Sequence, residues 1–148
     1  MQKILIILIF LLTSCGYQPL YSNKSSKELI FYEIETDGNK DISRRIISST
    51  SIKKDKQNYD FEKLILKNEK NIIITSKNSK GEAESYKMIL SVQIITQDKN
   101  KSISRQSFLE EFAYKNLDNK FDLSEYEITV ENNLINKIVE KIIIYLNI

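Results

Sequence analysis

The chain has 148 residues, 22 Lys+Arg against 20 Asp+Glu, one cysteine and no histidine. A net charge of +2 offers no basic excess of the kind that bulk nucleic-acid binding shows. With no histidine and no second cysteine, the common metal sites, an internal disulfide and a histidine-activated nucleophile are excluded.

The chain opens with Met-Gln-Lys, then an apolar run from Ile4 to Leu12, then Thr13, Ser14 and Cys15. A positive start, a short apolar stretch and small residues before a cut site describe a secretory signal. The run is too short to span a bilayer, which takes about 20 apolar residues. Leu12-Thr13-Ser14-Cys15 matches the bacterial lipobox: a leucine, two small residues that fit a peptidase cleft, and a cysteine whose sulfur can be thioether-linked to diacylglycerol. Residues 1–14 are therefore expected to be a lipoprotein signal peptide, with Cys15 the lipidated first residue of a mature chain of 134 residues (148 less 14). The alternative for Cys15 is a free thiol beyond an uncleaved anchor. In lipoproteins of Gram-negative bacteria an aspartate after the cysteine usually retains the protein in the inner membrane. Gly16 stands there instead, which favours the outer membrane with the domain facing the periplasm.

Residues 15–27 form the expected lipidated N-terminus and tether, since Pro19 holds Gln18 extended and Ser22 to Lys27 is polar without periodicity. A single domain is expected over 28–148. Glu28 to Glu35 alternates as a strand, with Ile30, Tyr32 and Ile34 on one side and Leu29, Phe31 and Glu33 on the other. Asp37-Gly38-Asn39 is a turn signal. Ile42, Ile46 and Ile47 recur at helical spacing and predict a short helix over about 40–52, followed by a polar loop from Lys53 to Asn58.

From Tyr59 the pattern is strand-like. Asn68-Glu69-Lys70-Asn71 interrupts it, so residues 60–75 form either one long bulged strand or two short ones. Ser76 to Glu84 is a hairpin loop with Gly81 near its tip. Tyr86, Met88, Leu90, Val92 and Ile94 alternate along a long strand, and Ser104 to Tyr114 is the next, with Phe108, Phe112 and Tyr114 in one register. Ser124 and Glu127 have capping-box spacing and predict a helix start there. Leu134, Ile135, Ile138, Val139, Ile142 and Ile143 then make one broad apolar stripe. The order β-α-β-β-β-α predicts an α+β two-layer sandwich, with two helices on one face of a mostly antiparallel four-stranded sheet.

No catalytic constellation stands out. Lone serines lack a histidine, Glu110 and Glu111 are strand neighbours that point to opposite faces, and no glycine loop could cradle a phosphate. A non-catalytic protein without metal or cofactor is expected.

Read together, these features resemble the LPS-assembly lipoprotein family, LptE, in its alphaproteobacterial style. Cys15-Gly16-Tyr17-Gln18-Pro19-Leu20-Tyr21 is similar to that family's CGF-x-PLY start. Tyr86-Lys87-Met88-Ile89-Leu90-Ser91-Val92 resembles its central strand, Arg105 with Phe112-Ala113-Tyr114 its next strand, and Ser124-Glu125-Tyr126 its approach to the last helix. The resemblance covers nearly the whole chain, although the alanine-rich helix typical of the family is here rich in Asn and Ile. It implies an outer-membrane lipoprotein that plugs the β-barrel LptD and helps it insert lipopolysaccharide. A lipid-anchored accessory of another envelope complex, a secretin pilot or a barrel-assembly lipoprotein, is the reading from a different class.

Lipopolysaccharide carries phosphates and carboxylates in its inner part, so a surface that binds it should present cations. Lys77 and Lys80 in the hairpin loop, Lys87 and Arg105 on strands, and Lys120 before the last helix are the candidate contacts. Lysines that serve only solubility are the competing account of the same residues.

Overall fold

The computed structural model describes residues 28–146. The signal peptide, Cys15 and the tether lie outside them. The elements are β1 (Leu29–Asp37), α1 (Lys40–Ser49), β2 (Ile52–Lys54), β3 (Phe61–Lys77), β4 (Ala83–Gln97), β5 (Ile103–Lys115) and α2 (Lys120–Leu146).

The architecture is the expected α+β sandwich, but the sheet has five strands in the order β2-β1-β3-β4-β5 rather than four. It is also mixed: β1 runs parallel to both β2 and β3, while β3, β4 and β5 form an antiparallel meander. The extra strand β2 occupies part of the stretch expected as polar loop. Only Ile52 of its three residues is buried, so it carries no alternation to read. It is fixed by its neighbours: Leu29 N–H donates to Ser51 O at 3.0 Å and Asp55 N–H to Phe31 O at 3.0 Å. α1 accordingly stops at Ser49, short of Ile52, where Thr50 turns extended and both its N–H and its hydroxyl bond to Ile47 O.

β3 is one strand of 17 residues, which spans about 55 Å at strand rise. Residues 68–71 do not break it. Asn68 is buried and pairs with Val92, and the irregularity sits later, between Ile74 and Lys77.

One face of the sheet holds the core. Met88, Leu90, Val92 and Ile94 of β4 alternate onto it, as do Leu64 and Leu66 of β3 and Phe108 and Tyr114 of β5. Ile42 and Ile46 of α1 and Leu134, Ile135, Ile138 and Ile142 of α2 cover them. Burying each such side chain contributes about 1.5–3 kcal/mol. In β1 the alternation slips. Phe31 is fully buried and Ile34, three residues on, also packs on the core, so Ile34 does not share a side with exposed Tyr32 as expected.

The helices are tied to the sheet by ion pairs. Glu131 of α2 accepts from Arg45 of α1 at 3.3 Å and from Lys70 of β3 at 2.6 Å. Glu110 meets Lys141 of α2 on the helix face, whereas Glu111 meets Lys87 on the open face at 3.0 Å, the opposed orientations expected of strand neighbours.

α2 starts five residues earlier than a cap at Ser124 would set it. Asn119 Oδ1 accepts from Phe121 N–H at 2.9 Å and Asn119 O from Leu123 N–H, so Asn119 is the cap and Ser124 lies inside the helix. Burial of Leu123 requires that extra turn. Glu127 bonds Tyr114 instead of closing a capping box.

This topology gives the domain two distinct ends. The β3–β4 hairpin and the start of α2 lie at one. Residue 28, the 55–60 loop, the β4–β5 hairpin and the end of α2 lie at the other.

Candidate functional site

The β3–β4 hairpin is built by Asn78. Its Oδ1 accepts from Lys80 N–H at 2.9 Å and Glu82 N–H at 3.0 Å, and its carbonyl from Gly81 N–H at 2.9 Å. Gly81 has φ +83°, the left-handed region that glycine enters without a side-chain clash. Lys77 stands on the last paired rung, opposite Ala83. Lys77 and Lys80 are exposed, and among the described residues neither makes an ion pair.

Lys120 comes to the same end. It lines an open cleft of about 490 Å³ with Asn78, Glu82, Glu84, Tyr86 and Asn116. Asn116 is held by its Nδ2, which donates to Ala83 O at 2.8 Å, and by its N–H, which donates to Glu84 O. Its Oδ1 is buried against this cleft without a partner among the described residues. An acceptor, a cation and two carboxylates thus converge there, a mix suited to a polar ligand carrying both donors and anions.

Below the cleft, Tyr86 stacks on Tyr114 with centroids 5.7 Å apart. Tyr114 donates its hydroxyl to Glu127 at 2.7 Å. Burial, and then this bond to a carboxylate, pushes the Tyr114 phenol well above the ordinary tyrosine range.

The five sequence-predicted cations therefore do not form one site. Lys77, Lys80 and Lys120 share an end. Lys87 lies on the open face of β4, opposite Ile73 and Ala113, and is bound to Glu111. Arg105 pairs with Ile95 near the other end of the sheet. Asn116 escaped the sequence reading because nothing about a loop asparagine signals a buried acceptor.

Among the described residues no group of three acidic or cysteine side chains could hold a metal, and no helix is long and apolar enough to cross a membrane.

No protein-family model matches the chain, and no curated protein matches it. Solved structures do. The rare lipoprotein B of Shewanella oneidensis superposes with TM-score 0.56 at 13% identity, over 78% of this chain and 93% of that one. An uncharacterized lipoprotein B of Nitrosomonas europaea gives TM-score 0.56 at 16% identity, over 78% of this chain and 79% of that one. A Caulobacter crescentus protein described as a "putative lipoprotein" gives TM-score 0.52 at 12% identity, over 79% of this chain and 86% of that one. The class so defined is an α+β sandwich of which bacterial lipoproteins are examples. At these identities the likeness is one of fold.

Proposed function

We propose that this chain is a non-catalytic outer-membrane lipoprotein, anchored through lipid on Cys15, that sits with the β-barrel LptD and assists insertion of lipopolysaccharide at the cell surface. The observation that carries the reading is the coincidence of two independent features. The described domain has the fold of solved bacterial lipoproteins, and a lipobox stands at Leu12–Cys15, 13 residues ahead of Glu28 (28 less 15). The Lys77, Lys80 and Lys120 end, with its mixed polar cleft, is the surface offered to the phosphates and sugars of lipopolysaccharide. Photocrosslinkers placed on the open sheet face and on the β3–β4 hairpin of the membrane-bound protein test the partner. Recovery of LptD supports the reading; recovery of a secretin or of a barrel-assembly barrel instead moves the protein to the accessory class.

A further inference from the structure

The end of the domain where residue 28 lies carries a cluster outside the site just described. The rings of Tyr32 and Tyr59 lie 5.3 Å apart between centroids. Lys56 Nζ sits 5.8 Å from the centroid of Tyr32, and Lys99 Nζ 4.6 Å from that of Tyr59. These residues come from β1, from the loop joining β2 to β3, and from the β4–β5 hairpin, so the fold brings three separate segments together. Lys54 and Lys101 are exposed at the same end.

Carboxylates are present there too, but they are turned to the backbone. Asp55 Oδ1 accepts from Gln57 N–H at 2.8 Å, Asp60 Oδ2 from Ile30 N–H at 3.2 Å, and Asp98 Oδ1 from Asn100 N–H at 2.9 Å and Ser102 N–H at 2.8 Å. Glu28 is matched to Lys53 at 2.7 Å. These aspartates satisfy backbone amides, and among the described residues Lys54, Lys56, Lys99 and Lys101 make no ion pair, nor does half-buried Glu62 at the start of β3.

The two hairpins provide an internal comparison. Asn78 and Asp98 open loops with the same bonds, each accepting through Oδ1 from the amides two and four residues on. The residue three positions on has positive φ in both: Gly81 at +83° and Lys101 at +64°. Glycine removes the steric cost at one end. At the other end the chain holds a lysine in the conformation that disfavours it, which directs attention to what its charge does.

Position supplies the partner. Glu28 is 13 residues beyond Cys15 (28 less 15), and 13 extended residues reach at most about 45 Å. β3 alone runs about 55 Å toward the opposite end. An anchor at Cys15 therefore attaches at the residue 28 end and holds that end within about 45 Å of the bilayer, with the β3–β4 hairpin at the end away from the attachment. Tyrosine rings and long lysines are the residue types that settle at headgroup level, and each lysine near an anionic leaflet is attracted to it.

We propose that this end is a membrane-contact surface, with Lys54, Lys56, Lys99 and Lys101 and the Tyr32–Tyr59 pair resting on anionic phospholipid headgroups of the leaflet that holds the anchor. The proposal rests on the lipid-anchored reading above. It adds an orientation: the Lys77–Lys80 hairpin is held away from that leaflet.

The test uses the full lipidated protein in vesicles of phosphatidylcholine containing phosphatidylglycerol, and in vesicles of phosphatidylcholine alone. A water-soluble acetylating reagent is applied, and the rate at each lysine is read by mass spectrometry. Lys54, Lys56, Lys99 and Lys101 are expected to react several-fold more slowly on the anionic vesicles, with Lys77 and Lys80 unchanged. The double variant Lys99→Glu with Lys101→Glu should return Lys54 and Lys56 to their rates on the neutral vesicles while the circular dichroism spectrum stays the same. Equal rates on the two lipids, or equal slowing at Lys77 and Lys80, would overturn the proposal. Inorganic phosphate protecting the same lysines without vesicles would also overturn it, by assigning the cluster to a free anion. Protein that does not float with either vesicle rejects the anchor and this surface together; protein that floats with its lysines unprotected rejects the surface alone.

Discussion

The amide of Asn39 donates to Oδ1 of Asn68 at 3.0 Å, joining the cap of α1 to the middle of β3 across 29 residues of sequence. Asn68 Nδ2 returns bonds to Asn39 O at 3.1 Å and Ser43 Oγ at 2.8 Å. Asn39 in turn caps α1 by accepting from Asp41 and Ile42 amides. One buried amide side chain thus fixes where β1 ends and where the first helix begins. Asn68→Leu should leave at least two of these groups without partners and cost about 2–3 kcal/mol, at roughly 1 kcal/mol for each bond lost. A urea midpoint close to that of the wild type would show that water replaces the latch.

Gly38 and Gly81 both have positive φ, at +102° and +83°, but their surroundings differ. A Cβ at Gly38 would lie 2.0 Å from Asn68 O, whereas at Gly81 nothing lies within 4 Å. Gly81→Ala should therefore cost only the left-handed backbone term, about 1–2 kcal/mol. Gly38→Ala should cost clearly more, because the turn must move off β3 as well. Thermal melts of the two variants, side by side, separate strain from collision; equal losses would show that the turn yields freely.

The alkaline limb of stability should report Tyr114. Its folded pKa is raised, first by burial and then by the bond to Glu127, so the fold favours the protonated phenol. That contribution is fully present below the ordinary tyrosine value of about 10 and is lost as pH rises above it toward the folded value. Tyr114→Phe should flatten this slope. It should also lower stability at neutral pH by about 1.5–3 kcal/mol, the range for a bond to a charged group. Urea titrations at neutral and at alkaline pH measure both. An unchanged alkaline slope would assign the loss to other tyrosines.

Where a strong period met a uniform environment, the sequence was readable. Met88, Leu90, Val92 and Ile94 are all buried, as are Leu134, Ile135, Ile138, Val139 and Ile142. The ambiguities and misses arose where a polar residue competed with the pattern. Asn68 left one bulged strand and two short ones both open because it is polar, and the single strand holds because its bonds are made inside the fold. Ser124 offered a capping box, while Asn119, five residues earlier, does the capping. β2 could not be seen because its pairing comes from β1, not from its own side chains. The cations were legible as residue types, but their distribution over two ends and a face depended on register. Tyr32 and Tyr59 come together only through a loop whose sequence gives no sign of it.

The last expectation concerns anionic ligand at the hairpin end. Lys77 and Lys80 are free of ion pairs among the described residues and sit on a loop braced by Asn78. Arg105 lies near the far end of a sheet whose β3 and β4 pair continuously from Lys63 to Ile74 and, past an irregularity, on to Lys77, so one ligand headgroup cannot reach both places. Lys77→Glu with Lys80→Glu should weaken lipopolysaccharide binding, since each charge-assisted contact to phosphate contributes roughly 1.5–3 kcal/mol. Arg105→Glu changes the net charge in the same direction at a distance and should leave affinity nearly unchanged. The comparison belongs at fixed, moderate salt, because screening over a Debye length of about 8–10 Å suppresses long-range effects while sparing direct contacts. A loss in Arg105→Glu in proportion to its smaller charge change, about half that of the double variant, would mean that overall charge, not the hairpin, governs binding. No loss in either would remove lipopolysaccharide from this end and leave the barrel as the partner still to be tested.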